Sequence, residues 1–183
     1  PTSAENLVSR PSARADGRET RFSALVGEHQ AMVYSLAYHY LGDHALAEEV
    51  AQEVFLELHG AFEALESPAH IRHWLRRVAS HRSIDQSRRR RLRPQVGLQE
   101  IPEPAAECPP EDVLRNEAVR KLVATLPERC RVVVVLRYQE DLEPAEIARL
   151  LGVPARLVRR RLHKGLTLLR RKMNVFPKQG GWI

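Results

Sequence analysis

Apolar positions recur along this chain at the three- and four-residue steps of buried helix faces, and two-residue alternation is absent. Leu25, Met32, Val33, Leu36 and Tyr40 trace one helix that ends near Gly42, and Asp43 is placed to cap the next. Leu46, Val50, Val54 and Leu58 then repeat every fourth residue, with Ala47, Ala51 and Phe55 beside them. Glu49, Gln52, Glu53 and Glu57 fall on a different, acidic face of that second helix. Pro68 disfavours helix at Ser67 and marks a break. Ile71, Trp74, Leu75, Val78 and Ile84 give the inner face of a third, long helix. Further on, Leu114, Ala118, Leu122 and Val123 predict a helix that stops before Pro127. The run Val132, Val133, Val134, Val135 favours a strand by propensity. A lone strand among helices would have no partner, and Leu126-Pro127-Glu128 resembles a helix start, so a helix is expected there. Finally, residues 144–172 read as two helices around a tight turn. Gly152 suits a left-handed helix end, Pro154 suits a first turn, and Val158, Leu162, Leu166 and Leu169 form one stripe. The expected fold is all-α, in two small helical domains, the second holding a helix-turn-helix.

Prolines separate the two blocks. Pro94, Pro102, Pro104, Pro109 and Pro110 lie in residues 94–110, which also carry Glu100, Glu103 and Glu107 and no Lys or Arg. Repeated proline removes backbone donors and blocks helix, so an acidic linker of extended or irregular backbone is expected. The expected domains are therefore 21–93 and 111–173, with a flexible polar tail at 1–20 and a second tail at 174–183 containing Phe176 and Trp182. No run of eighteen apolar residues exists, which argues against membrane insertion. The first twenty residues lack a signal-peptide core. Cys108 and Cys130 are the only cysteines and have no zinc-ligand spacing, so two free thiols in a reducing cytoplasm are expected, with no metal and no cofactor.

Charge changes the picture more than length does. Among 183 residues the net charge is +6, and the cations are concentrated. Residues 149–172 hold nine Lys/Arg and no acid, and residues 72–93 hold nine Arg against one acid, Asp85. A solvated helix normally mixes signs, because Glu–Lys pairs four residues apart stabilise it. Unmixed cations on the second helix of a helix-turn-helix fit a DNA major groove. Arg156, Arg159, Arg160 and His163 lie off the apolar stripe, where guanidinium groups can make bidentate contacts to guanine.

Both blocks together resemble the bacterial RNA polymerase sigma factors of the extracytoplasmic-function (ECF) type. The first block carries the resemblance in LAEEVAQEVFLELHGAF (46–62) and WLRRVASHRSIDQSRRR (74–90). The second carries it in LPERCRVVVVLRY (126–138) and EIARLLGVPARLVRRRLHKGLTLLR (146–170). The resemblance implies a promoter-specificity subunit with no catalytic residues. By it, Glu49, Gln52, Glu53 and Leu56 would dock on the clamp helices of the polymerase largest subunit. Arg76, Arg77, Ser80, His81, Arg82, Asp85 and Arg88 would track the minus-ten element, with a pocket for a flipped base at residues 65–70. Arg156, Arg159, Arg160, His163 and Lys164 would read the minus-thirty-five duplex. The linker would run toward the active centre and RNA exit path, the polymerase flap would be a second contact, and an anti-sigma factor would hold the free protein.

The chain departs from the family pattern at His81, where Asn is frequent, at Leu46, where Asp is common, and at Pro154, Arg156 and Leu157 in the recognition helix. Promoter sequence therefore does not transfer from relatives. Trp74 reads as core rather than as a stacking platform, since it shares a face with Ile71, Leu75 and Val78. The competing reading is a stand-alone helix-turn-helix regulator of duplex DNA, which leaves the acidic helix and the first Arg-rich helix unexplained. An acid–base pair of His81 and Asp85 lacks a nucleophile or third group.

Overall fold

The computed structural model describes residues 13–92 and 111–175, and all regular structure in them is helical. The first block is α1 (Ala13–Leu41), α2 (His44–Ala61) and α3 (Pro68–Leu92), with a short 3-10 turn at Phe62–Ala64. The second is α4 (Glu111–Ala124), α5 (Glu128–Tyr138), α6 (Pro144–Leu151) and α7 (Ala155–Val175). The linker at 94–110, with its acidic residues and Cys108, lies outside the described residues, as do residues 1–12 and 176–183. Helix α1 therefore begins inside the segment expected as a tail, at Ala13. Arg18 anchors its first turns by donating to Glu63 Oε1 at 2.8 Å and to the His59 carbonyl at 2.9 Å.

Gly42, at φ 69°, closes α1 by donating to the Tyr38 carbonyl. Asp43 then caps α2, its carboxylate accepting from the Leu46 amide at 3.1 Å. Val33, Leu36, Ala37 and Tyr40 of α1 meet Ala47, Val50, Val54 and Leu58 of α2, and Ile71, Leu75 and Ala79 of α3 close the triangle. In the second block α5 is the axis. Every residue from Cys130 to Leu136 is buried, a helix apolar almost all round and surrounded by neighbours. That enclosure explains how four β-branched residues in a row sit in a helix: packing on every side outweighs a propensity cost of a few tenths of a kcal/mol per residue.

The two blocks share one continuous apolar cluster, which joins α1–α3 to Val132, Val133, Val135 and Leu136 of α5 and to Ile147, Leu150 and Val158. Helix α5 packs on α1 and α3, α4 on α1, and α6 on α3.

Candidate nucleic-acid interface

The helix-turn-helix is built from local chemistry. Glu146 folds back to accept the Glu143 amide at 2.8 Å, which fixes the start of α6 behind Pro144. Gly152 ends it at φ 65°, in the left-handed region, and the Val153 amide donates to the Ala148 carbonyl. Pro154 stands just ahead of α7 rather than inside its first turn, and its carbonyl accepts the Leu157 and Val158 amides. Val158 is fully buried, so α7 is pinned by its stripe. Arg156, Arg159, Arg160, His163 and Lys164 are all exposed, and none of them is paired with an acid among the described residues. Arg161 is half-buried instead. Burial, then Arg129 and Arg160, push its pKa down from the usual arginine value, so it belongs to the packing of α7 rather than to its outer face.

The minus-ten set divides over three faces of α3. Arg77, His81, Asp85 and Arg88 are exposed, on the outward side. Arg82 turns toward α2, where its guanidinium bonds Glu57 and lies 3.6 Å from Glu53. Those carboxylates hold its pKa above the ordinary arginine value, chiefly through the hydrogen bond that Arg82 donates to Glu57. Arg76 and Ser80 turn toward the second block. Arg76 donates to Glu140 Oε2 at 2.8 Å, and Ser80 is 1% exposed with no protein partner for its hydroxyl. Seven residues expected on one surface thus form an outward group of four, with Arg82 spent on α2 and Arg76 and Ser80 enclosed. Trp74 is partly buried and packs on the core.

The acidic face of α2 divides in the same way. Glu53 and Glu57 meet Arg82, and Glu49 accepts from Gln86 at 2.7 Å. Gln52 and Leu56 point elsewhere. With Phe55 and Ala51 they line a groove of about 960 Å3 whose opposite wall is Phe22, Val26, Ala31 and Tyr34 of α1. Leu56 is 74% exposed, a large apolar side chain presented at the rim of a largely apolar groove.

Two features had no signal in the sequence. The α1 wall of the groove comes from Phe22, Val26, Ala31 and Tyr34, none of which the apolar periodicity of that helix singles out. The polar contacts between the blocks come from Glu128, Arg131, Gln139 and Glu140, which nothing in the sequence pairs with α1 or α3. Among the described residues no cluster of three His, Cys, Asp or Glu could hold a metal ion, and no helix is long and apolar enough to cross a membrane.

Comparison with known proteins agrees with this geometry. Residues 25–93 match the family Sigma-70 region 2, and residues 116–169 match Sigma-70, region 4. The ECF RNA polymerase sigma factor SigL of Mycobacterium tuberculosis is 31% identical over 169 residues, covering 89% of this chain and 94% of the relative. SigW of Bacillus subtilis, also an ECF sigma factor, is 28% identical over 170 residues, covering 86% and 91%. Two solved structures share the fold. CnrH in complex with the cytosolic domain of CnrY has a TM-score of 0.65 at 20% identity, covering 88% of this chain and 92% of that one. The sigma factor RpoE bound to the anti-sigma factor NepR, from Bartonella quintana, has a TM-score of 0.67 at 15% identity, covering 86% and 99%. With both sigma regions in order and a relative matched over nearly its whole length, the chain belongs to the ECF RNA polymerase sigma factors.

Proposed function

We propose that this sigma factor directs bacterial RNA polymerase to its promoters by dividing three tasks among three helices. Helix α7 reads the minus-thirty-five duplex through Arg156, Arg159 and Arg160, with His163 and Lys164 on phosphate or flanking bases. Helix α3 holds the opened minus-ten strand along Arg77, His81 and Arg88, where cations track phosphates and a captured base repays the few kcal/mol of its unstacking. Helix α2 docks on the polymerase clamp through Gln52 and Leu56 at the groove rim. Of the two acids expected on that surface, Glu53 meets Arg82 and Glu49 meets Gln86, both on α3, so the apolar rim carries more of the contact than charge does.

The observation that carries this reading is the outer face of α7: five cationic or titratable side chains, all exposed and none neutralised by an acid. By analogy with the anti-sigma complexes among its structural neighbours, an anti-sigma factor would compete for the same α1–α2 groove in the cytoplasm.

Run-off transcription with core polymerase on a randomised promoter library tests the reading. Selected promoters should share two spaced elements. Arg159→Ala with Arg160→Ala should erase selection at the minus-thirty-five element, at about 1–3 kcal/mol per lost guanine contact. Leu56→Asp with Gln52→Ala should abolish polymerase binding while leaving duplex binding intact. Promoter choice that ignores the α7 variant would contradict the recognition-helix assignment.

A further inference from the structure

Where the start of α3 meets α6, the two blocks leave a cleft of about 320 Å3 between them. Arg72, His73 and Arg76 line it from α3, and Glu146 and Arg149 from α6. Its charges are unevenly satisfied. Arg76 is neutralised by Glu140 at 2.8 Å, and Glu146 is committed to the Glu143 amide at 2.8 Å, where it caps its own helix. Arg72, His73 and Arg149 have no hydrogen bond or ion pair to any side chain among the described residues. Arg149 is not bonded even to Glu146, three residues before it on the same helix. One unpaired guanidinium is thus presented from each block into a single cleft. Like charges held there repel, and an anion between them turns that repulsion into two attractions.

Size and geometry narrow the ligand. The volume is at the lower end of small-molecule sites and equals about ten waters, too small for a duplex and more than one phosphate needs. Arginine forks suit phosphoryl oxygens, and two forks from opposite walls suit two linked phosphoryl groups better than one carboxylate. His73 adds a ring N–H donor beside Arg72. Ala69, in the first turn of α3, lines the same cleft, so the positive end of that helix adds to the field.

We propose that the α3–α6 cleft is a binding site for a diphosphate group, held by Arg72 and His73 on one wall and Arg149 on the other. Inorganic pyrophosphate and a nucleoside diphosphate are the two sources of that group. The site needs both blocks, and it uses none of the side chains assigned above to promoter reading or polymerase docking, Arg76 excepted, whose charge Glu140 already meets.

The test is isothermal titration of the full chain with inorganic pyrophosphate at physiological salt, without added metal. One saturable site per chain is expected. Arg72→Ala and Arg149→Ala, made separately, should each weaken binding about tenfold, as expected for the loss of one charged hydrogen-bond partner. Both side chains are exposed, so the variants should melt like wild type without ligand, while pyrophosphate should raise the melting temperature of wild type alone. Arg129→Ala with Arg171→Ala, which removes two exposed cations elsewhere, should bind as wild type does. No saturable binding, or an equal loss in that control pair, overturns the site. A loss confined to Arg72→Ala also overturns it, because the anion then lies on α3 alone. Orthophosphate binding as tightly as pyrophosphate overturns the diphosphate assignment. Titration with GDP and ADP separates the sources: affinity equal to or above that of pyrophosphate supports a nucleotide ligand, and pyrophosphate binding without nucleotide binding supports the free ion.

Discussion

Tyr40 and Arg131 decide how the two domains meet. Arg131 is 7% exposed, and its guanidinium donates to the Tyr40 carbonyl at 3.2 Å, to the Leu126 carbonyl at 3.1 Å and to the Ala124 carbonyl. It also stacks over the Tyr40 ring at 5.1 Å. One side chain of α5 thus ties the end of α1 to the end of α4. Burial pushes its pKa down, with Tyr40 opposing, yet no physiological pH discharges an arginine. Arg131→Met keeps the stem and removes the bonds, so it should cost about 2–3 kcal/mol in urea unfolding by leaving buried carbonyls unpaired. Tyr40 makes the opposite prediction. Its hydroxyl is buried, has no protein partner, and burial raises its pKa to about 12 against the pull of Arg131. An unfolded tyrosine ionises near pH 10, so the folded state holds its proton longer. Its contribution is whole below pH 10 and is lost as pH rises toward 12, by at most about 3 kcal/mol. Tyr40→Phe should leave stability at pH 8 equal or higher by about 1 kcal/mol, and should flatten the decline between pH 10 and 12. A decline equally steep in the variant would assign it to other groups.

Helix by helix, the sequence predicts the fold well and the faces less well. Periodicity, the Asp43 cap and the Gly152 stop place α2, α6 and α7 close to where they lie, because each signal is local. The four valines of α5 were resolvable only by asking what a strand would pair with, since enclosure by five other helices is a property of the assembled fold. The faces of α2 and α3 failed differently. Glu53, Glu57 and Arg82 look solvent-facing when each helix is read alone, and they pair only because α2 and α3 pack side by side. Gly165 is a clearer instance of a long-range requirement. A Cβ there would lie 2.9 Å from Val134 Cγ2 and 3.5 Å from Cys130 Cβ, so glycine is what lets the recognition helix lie close on α5. Alanine would gain about 1 kcal/mol in helix propensity, but a β-branched neighbour inside a packed core yields little. Gly165→Ala should therefore lower thermal stability on balance, and Gly165→Val more so, with duplex affinity falling as α7 is displaced. Charge on the same helix gives an independent check. Arg170 is exposed beyond the base-reading group, so Arg170→Ala should weaken duplex binding equally for all sequences and lower the log–log salt slope by about 1.

At the scale of the whole molecule, two kinds of force hold the domains together, and salt separates them. The apolar cluster running from α1 to α5 is insensitive to screening. The ionic contacts differ in exposure: Arg76–Glu140 is close and sheltered, whereas Arg88 and Arg91 are more than half exposed where they approach Glu128. Between 0.1 and 1 M salt the screening length falls from about 10 to 3 Å, which weakens exposed pairs well before buried ones. No reading of the sequence could have ranked these pairs, because Glu128 and Glu140 are separated from their arginines by the linker and meet them only when the domains dock. The ranking predicts an order of opening. Wild type should remain closed through moderate salt, loosening first at the Glu128 end. Glu140→Gln should shift the rise in radius of gyration to lower salt, because it removes the contact that screening cannot reach. Glu128→Gln should act weakly, and only at low salt, where its exposed pairs still contribute. Small-angle scattering over a salt series distinguishes the two variants directly. If both open at the same salt as wild type, and only Arg131→Met separates the domains, closure belongs to the buried arginine and the apolar cluster, and the carboxylates on α3 are followers of the docking rather than its cause.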